Sequence, residues 1–511
     1  MSAADFAEPA STDADGNGKT FCPAENRRFV LISAILASSM GFIDGSVVSL
    51  AMPAIRADLG GTLADAQWIS NAYMLFLSAL VLIGGAAGDV YGVRNIFGVG
   101  IIVFMLTSLA CALSLDADML IAMRALQGIG AALMVPGSLA IIAKAYPAKE
   151  RGRAIGLWAA FSSLTTALGP FIGGVVLSLG ADWMWRLIFA INVPIGLVAL
   201  AMLYLRVPRD KPTERRKLDA LGAVLATASL GALAWGLTSF GVAPELRIGP
   251  PWTWLLAGAL LAAVFLWWEH RAKSPMVKLE LFRSKAFSGA NVYTLILFLG
   301  FSAVIFFFPM TVVSAWGVSE LEASLVGLPL SACLALFSGA AGRLADRIGP
   351  RLPLTIGALI ITVSYVLLAA TMPLMQLWTI TLLAMLLQGA GMALMISPLS
   401  TAVMIATPDS DTGLASGVNN AVARAAGLIA VAGLGSVAGI VFAAVMGGAQ
   451  VPGVEFGAAP EAALDATAES LRVEATNRAF QMIAAISALL CAISAAIAWW
   501  TQPSKSAEAQ S

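Results

Sequence analysis

Charge is scarce in this chain. Of its 511 residues only 12% are Asp, Glu, Lys or Arg, where a soluble globular protein carries about 25%, and 59% are hydrophobic. A water-soluble fold is excluded on that balance. A single histidine, His270, is expected in a polar loop, so neither a His-based metal site nor a Ser–His–Asp arrangement can be assembled. The four cysteines, Cys22, Cys111, Cys333 and Cys491, lie too far apart for the close spacing of metal sites and read as unpaired packing residues. There is no Gly-rich loop ending in Lys-Ser/Thr, which removes ATP as an evident driver. A membrane enzyme would need a cluster of His, Cys or paired carboxylates at one membrane face, and none is present. No enzyme activity, cofactor or metal is expected. Lys+Arg and Asp+Glu balance at 30 each, so net charge indicates no nucleic-acid partner.

What the chain has in abundance is apolar length. A helix needs about 20 apolar residues to cross roughly 30 Å of hydrocarbon, and polar breaks divide the sequence into fourteen such stretches. They run approximately over 29–50, 67–88, 95–115, 118–143, 153–180, 184–206, 219–240, 251–268, 286–311, 322–342, 351–371, 375–397, 413–445 and 477–500. The expectation is an all-α integral membrane protein in contact with the lipid bilayer. Residues 1–28 lack the basic and apolar regions of a cleavable signal and read as a disordered cytoplasmic tail, and 501–511 as a second cytoplasmic tail. With the amino terminus inside, 23 of the 30 Lys and Arg residues fall in cytoplasmic segments, 5 in outside segments and 2 within spans. The positive-inside rule therefore places both termini in the cytoplasm. The longest outside segment, about 446–476, is acidic and reads equally as a short surface helix or a disordered loop.

Two stretches recur. Gln127-Gly128-Ile129-Gly130 in the fourth span returns as Gln388-Gly389-Ala390-Gly391 in the twelfth, 261 residues later. The Gly85, Asp89, Gly92, Arg94 pattern after the second span returns as Gly342, Asp346, Gly349, Arg351 after the tenth, 257 residues later, with Arg347 beside it. Two matches at nearly one offset indicate a duplicated unit. It puts a first six-helix half, 29–206, in register with a second, 286–500, and leaves two extra helices in the linker 207–285. Parallel halves of this kind are the arrangement of major facilitator transporters, which hold substrate between the halves near the membrane midplane.

Within the spans, Asp44 is the carboxylate placed deepest, where a charge costs about 2.5–3.5 kcal/mol on insertion scales. Hydrocarbon disfavours its charged form, which suits a group that takes up and releases a proton in each cycle. A permanently hydrogen-bonded structural Asp is the alternative. Arg124, early in the descending fourth span, falls at a similar depth, so an ion pair with Asp44 is geometrically reasonable. Its repeat counterpart is the apolar Met385. The paired Gly85 and Gly342 motifs read as conformational latches, in which Asp pairs with a basic residue or a helix N-terminus. Gly169, Pro170, Gly173 and Gly174 give the fifth span a kinked surface that allows close, sliding contact. Candidates for a substrate cavity are Asn71, Tyr73, Trp158, Asn291, Tyr293 and Arg424, the last facing either an anionic substrate or backbone carbonyls.

These residues together resemble the fourteen-span drug:proton antiporter family of the major facilitator superfamily, over roughly 29–500. Asp44 with Ala51-Met52-Pro53 is similar to that family's first-span signature, and Arg124-x2-Gln127-Gly128-x-Gly130 to its fourth-span motif. Gly169-Pro170-x2-Gly173-Gly174 resembles the antiporter motif, and Trp185-Arg186-x2-Phe189-x2-Asn192-Val193-Pro194-x-Gly196 the start of the sixth span. Val90 and Thr165 depart from the pattern, where a basic residue and a glycine are usual. The resemblance implies an inner or plasma-membrane exporter of small amphiphilic or drug-like molecules in exchange for protons, with Asp44 and Arg124 in the coupling machinery. A proton-coupled carrier of one dedicated metabolite is the alternative, since fold does not determine function.

Overall fold

The computed structural model describes residues 20–212, 218–408, 411–447, 454–458, 460 and 463–504. The expected disordered tails fall largely on 1–19 and 505–511, outside the described residues. The helices are α1 (Arg27–Leu59), α2 (Leu63–Tyr91), α3 (Val93–Ala112), α4 (Ala117–Ala145), α5 (Ala148–Leu177), α6 (Trp185–Ala190) and α7 (Asn192–Arg206). They are followed by α8 (Ala220–Ser239) and α9 (Pro251–Arg271), and then by α10 (Lys285–Trp316), α11 (Glu320–Ile348), α12 (Arg351–Thr371), α13 (Leu382–Ile405), α14 (Thr412–Val445) and α15 (Ala466–Thr501). With α6 and α7 forming one span, 14 helices among the described residues are long and apolar enough to cross a membrane. No strand occurs among them.

Each expected span overlaps one of these, but several helices overrun the hydrocarbon. At 36 residues, α15 is about 54 Å long, so the end of the acidic segment 446–476 is helix that projects past the membrane core. His270 lies in the last turn of α9 rather than in a loop. All four cysteines are free and buried. Burial pushes the Cys22 thiol above its ordinary value, with Arg27 pulling the other way.

The duplication extends to the helix ends. α1 terminates on Gly60 and α10 on Gly317, both in the left-handed region, at φ 65° and 64°. Thr62 then caps α2 in a reciprocal box with Asp65, and Ser319 caps α11 in the same way with Glu322. All three pairs keep the 257-residue offset of the latch motifs. Each box satisfies two of the backbone donors that a helix N-terminus leaves open.

Glycines set the packing inside each half. A Cβ on Gly128 would meet Tyr73 O at 2.5 Å, and one on Gly130 would meet Phe104 N at 2.6 Å, so α4 lies backbone to backbone against α2 and α3. In the second half a Cβ on Gly389 would meet Pro329 O at 2.9 Å, and one on Gly391 Gly357 O at 2.6 Å, which presses α13 against α11 and α12 in the same way. Without hydrophobic drive between helices in lipid, such close approach supplies much of the association.

The halves meet along α2 with α14, α5 with α11, and α1 with α10. The inserted pair α8 and α9 packs on itself and lies across the α2–α14 seam, with Trp68 against Trp235 at 5.3 Å and Ser436 Oγ donating to Leu237 O at 2.7 Å. One membrane face carries the described ends, Thr20 and Ser504, and is called the terminal face below. The opposite one is the far face.

The halves are closed at the far face. There a Cβ on Gly174 of α5 would lie 3.0 Å from Glu320 O of α11, and Gln67 Nε2 of α2 donates to Val431 O of α14 at 2.6 Å. Toward the terminal face α5 and α11 part. Gly156 and 159–161 of α5 are exposed in near succession, as are 335–337 of α11. Runs of that kind wrap most of a helix, so the side turned toward the other half is open as well as the side turned to lipid.

Candidate transport site

Asp44 is completely buried in the middle of α1 and is held from α4 by two residues one turn apart. Arg124 Nη1 donates to its Oδ2 at 2.6 Å and Gln127 Nε2 to its Oδ1 at 3.2 Å. Arg124 also gives Nη1 to Gln127 Oε1 at 2.7 Å and Nε to Ile69 O at 3.1 Å, and its guanidinium lies 4.3 Å from the Tyr73 ring centroid. Both carboxylate oxygens of Asp44 and both amide atoms of Gln127 are hydrogen-bonded. A buried carboxylate and guanidinium are tolerable because each charge has the other as partner and further hydrogen bonds from Gln127 and to Ile69 O. The i, i+3 spacing that puts Arg124 and Gln127 on one face of α4 is visible in the sequence, where Gln127 stands in both the repeat and the fourth-span motif.

In the first latch motif the aspartate pairs with a basic residue, and a second carboxylate caps the helix that follows. The carboxylate that caps α3 is Asp210, after α7, accepting from Val93 N at 2.8 Å and Arg94 N at 3.0 Å. Asp89 pairs with Lys144 at 3.3 Å, and Lys144 also lies 3.8 Å from Asp210. Arg94 stacks on Tyr204 at 4.7 Å, and in the second copy Arg351 stacks on Trp499 at 4.0 Å. Gly92 and Gly349 both require positive φ, 91° and 85°. Both motifs thus tie the helices of their own half together at the terminal face.

Gly169 and Gly173 receive α1, since a Cβ on either would collide with Ser46 or Val47, while Gly174 receives α11. The span-5 motif therefore contacts both halves. At the start of the sixth span, Trp185 Nε1 and Arg186 Nη2 both donate to Asp58 Oδ2, at 2.9 and 2.8 Å, and Asn192 Nδ2 donates to Ser108 Oγ at 2.9 Å.

The proposed cavity residues divide. Tyr293 is wholly buried and gives its hydroxyl to Leu354 O at 3.0 Å, so it packs α10 on α12 and is not free to touch a substrate. Trp158 is engaged with Ser38 Oγ at 2.9 Å. Asn291 donates to Phe287 O and accepts from Asn419 at 3.3 Å. Tyr73 is buried under Arg124. Asn71 is fully buried with neither amide atom paired, and Arg424 bonds Asn420 Oδ1 at 2.7 Å rather than any carbonyl.

Two further charged sites escaped the sequence reading. At the far face, Arg56 Nη1 and Nη2 of α1 bond Phe456 O and Glu455 Oε2, both at 2.8 Å, and Leu63 N donates to the same Glu455 oxygen at 2.7 Å. Phe456, 1% exposed, is seated against Phe307 and Phe442. Part of the acidic segment 446–476 is therefore an ordered plug across the halves at the far face. Glu269, just past the end predicted for its span, is a second deeply buried carboxylate, 3% exposed, beside Asp219 of the inserted pair. Glu269 Oε2 accepts from Val277 N and Asp219 Oδ1 from Trp268 Nε1, while Glu269 Oε1 and Asp219 Oδ2 have no donor among the described residues.

A bundle of fourteen spans, duplicated in two halves that close at one face and part at the other around a buried ion pair, is a membrane transporter and not an enzyme. The chain belongs to the major facilitator superfamily, whose family model matches residues 34–431 and 290–511. It is 31% identical over 411 residues to the multidrug resistance protein Stp of Mycobacterium tuberculosis (strain CDC 1551 / Oshkosh), covering 80% of this chain and 75% of that protein. It is 31% identical over 438 residues to the tetracenomycin C resistance and export protein of Streptomyces glaucescens, covering 83% and 79%. Among solved structures, a bacterial homologue of the human lysosomal transporter Spinster superposes with a TM-score of 0.67 at 17% identity, over 94% of this chain and 97% of that one. The D-xylose–proton symporter does so with a TM-score of 0.64 at 16% identity, over 93% and 98%. At such identities the structural likeness concerns the fold.

Proposed function

We propose that this chain is a proton-coupled exporter of small amphiphilic molecules, seated in the inner or plasma membrane with both termini cytoplasmic, its halves spanning 29–206 and 286–500. The observation that carries the reading is the sealed Asp44–Arg124–Gln127 cluster. A carboxylate so placed holds its charge only through Arg124 and Gln127. Protonation of Asp44 releases that hold, while Arg124 keeps Ile69 O, Gln127 Oε1 and the Tyr73 ring as partners and stays charged. The cluster therefore has two states that differ by one proton, in only one of which Arg124 has a counter-charge. At a potential of about 100 mV each proton that enters supplies about 2.3 kcal/mol to the cycle.

With the termini cytoplasmic, the side on which the halves part opens to the cytoplasm. Opening outward would separate α5 from α11 and α1 from α10 at the far face and withdraw Phe456, while the Gly85 and Gly342 motifs come together at the terminal face. Relatives named for multidrug resistance and for tetracenomycin C export support an exporting direction.

The test is proton movement in inside-out vesicles containing wild type or Asp44→Asn, with a panel of amphiphilic compounds. Wild type should dissipate a preformed pH gradient when a substrate is added, and the variant, folded and inserted, should not. Uphill transport by Asp44→Asn would sink the coupling role of Asp44.

A further inference from the structure

Two arginines lie well inside the spans, and they are treated in opposite ways. Arg124 has a carboxylate, an amide, a carbonyl and an aromatic ring around it. Arg424 has one bond, from Nε to Asn420 Oδ1, and no ion-pair partner among the described residues. Its two terminal amino groups have no acceptor and are not sealed in the packing, because neither belongs to the buried unpaired atoms. A guanidinium does not give up its proton, so this charge persists throughout the cycle.

Its place is set by its neighbours. α14 is fixed to α2 by Gln67 with Val431 and Ala432 toward the far face, and by Leu82 against Gly417 toward the terminal face. Arg424 falls midway along that seam, level with Tyr73 to Leu75. On the other flank of α14, Asn419 bonds Asn291 and Thr294 of α10. Arg424 and Asn420, four residues apart and hence on one face, look into the gap between α2 and α10, where the two halves meet. Gln67 and Leu75 on α2 both touch α14, and Asn71, between them at the same i, i+4 spacing, is fully buried with its Oδ1 and Nδ2 unpaired. A cation without a counter-charge thus stands about one turn from an amide without a partner.

We propose that Arg424, with Asn420 and Asn71 beside it, receives the negatively charged group of the cargo, so that the substrates of this transporter include amphiphilic carboxylates. This rests on the export reading above. A carboxylate matches the paired N–H groups of the guanidinium and accepts from an amide, whereas a cationic group would meet Arg424 unscreened. Expelling a monoanion while admitting a proton moves two charges in the same electrical sense, so an inside-negative potential drives both.

The experiment uses the full chain in nanodiscs with two fluorescent compounds of equal apolar size, pyrenebutyrate and pyrenebutyramide, and reads their affinities by anisotropy. Wild type should bind the carboxylate about ten- to a hundredfold more tightly than the amide, the range for a charged hydrogen-bonded pair. Arg424→Gln should bring the carboxylate down to the level of the amide without changing the amide, and Arg424→Lys should keep part of the preference. Equal affinities in wild type, which need no variant to fold, or a preference that survives Arg424→Gln, overturn the proposal. Vesicle transport separates the two readings. Carboxylate-selective binding without export of either compound would refute export and leave the anion site standing. Export of the amide with no acid preference would leave export standing and refute the site.

Discussion

The two halves are built on one scaffold and filled differently. At the 257-residue offset Asp44 corresponds to Phe301, and at the 261-residue offset Arg124 corresponds to Met385, while Gln127 corresponds to another glutamine, Gln388. Gln127 bridges a carboxylate and a guanidinium. Gln388 reaches only the hydroxyl of Tyr365, at 3.2 Å, and its Oε1 is unpaired. Caps, turn glycines and helix-contact glycines are kept in both copies. Geometry has therefore been conserved between the halves where backbones touch, and titratable charge has been placed in one of them.

The comparison can be broken by giving the first half the residue of the second. Arg124→Met leaves Asp44 as an uncompensated buried charge, and should destabilise the protein by about 3–5 kcal/mol and stop coupled transport. Adding Asp44→Asn should restore most of the stability but none of the coupling. Thermal unfolding in detergent and the vesicle assay read the two effects separately. A single variant as stable as wild type would mean that the ion pair is not what holds α1 to α4.

Substitutions at the shared scaffold should hurt both halves alike. Gly130→Ala and Gly391→Ala each force a Cβ into backbone 2.6 Å away and should each cost about 1–3 kcal/mol, with similar losses of folded protein by size-exclusion chromatography. A tolerated change at one position and a severe one at the other would show that the halves are not packed equivalently.

The glutamines sharpen the contrast. Gln388→Met removes one hydrogen bond and an unpaired oxygen, and should change stability by no more than about 1 kcal/mol and leave transport intact. Gln127→Met withdraws a donor from Asp44 and should lower the rate of coupled transport in the vesicle assay. Smallest of all, Glu455→Gln should weaken the far-face plug by less than about 1 kcal/mol, because Glu455 is 45% exposed and Arg56 keeps the Phe456 and Gly61 carbonyls. Its readout is faster labelling of a cysteine placed at Val454.

Much of this was legible in one sequence. Apolar length dictates fourteen helices, because every backbone group in hydrocarbon must be bonded within its own segment. The repeat dictates parallel halves, and Asp44 and Arg124 stand out because charge at that depth is costly. Partners distant along the chain were not legible. Arg56 with Phe456, 400 residues apart, Asp210 capping α3, and Glu269 beside Asp219 depend on which helix ends the packing brings together. Helix rotation was equally out of reach, because a 3.6-residue period does not mark the inward face when lipid and core are both apolar. That is why Tyr293 and Arg424 could be named together from sequence. Only the tertiary structure, by turning one into a packed interface and leaving the other without an ion-pair partner among the described residues, told them apart.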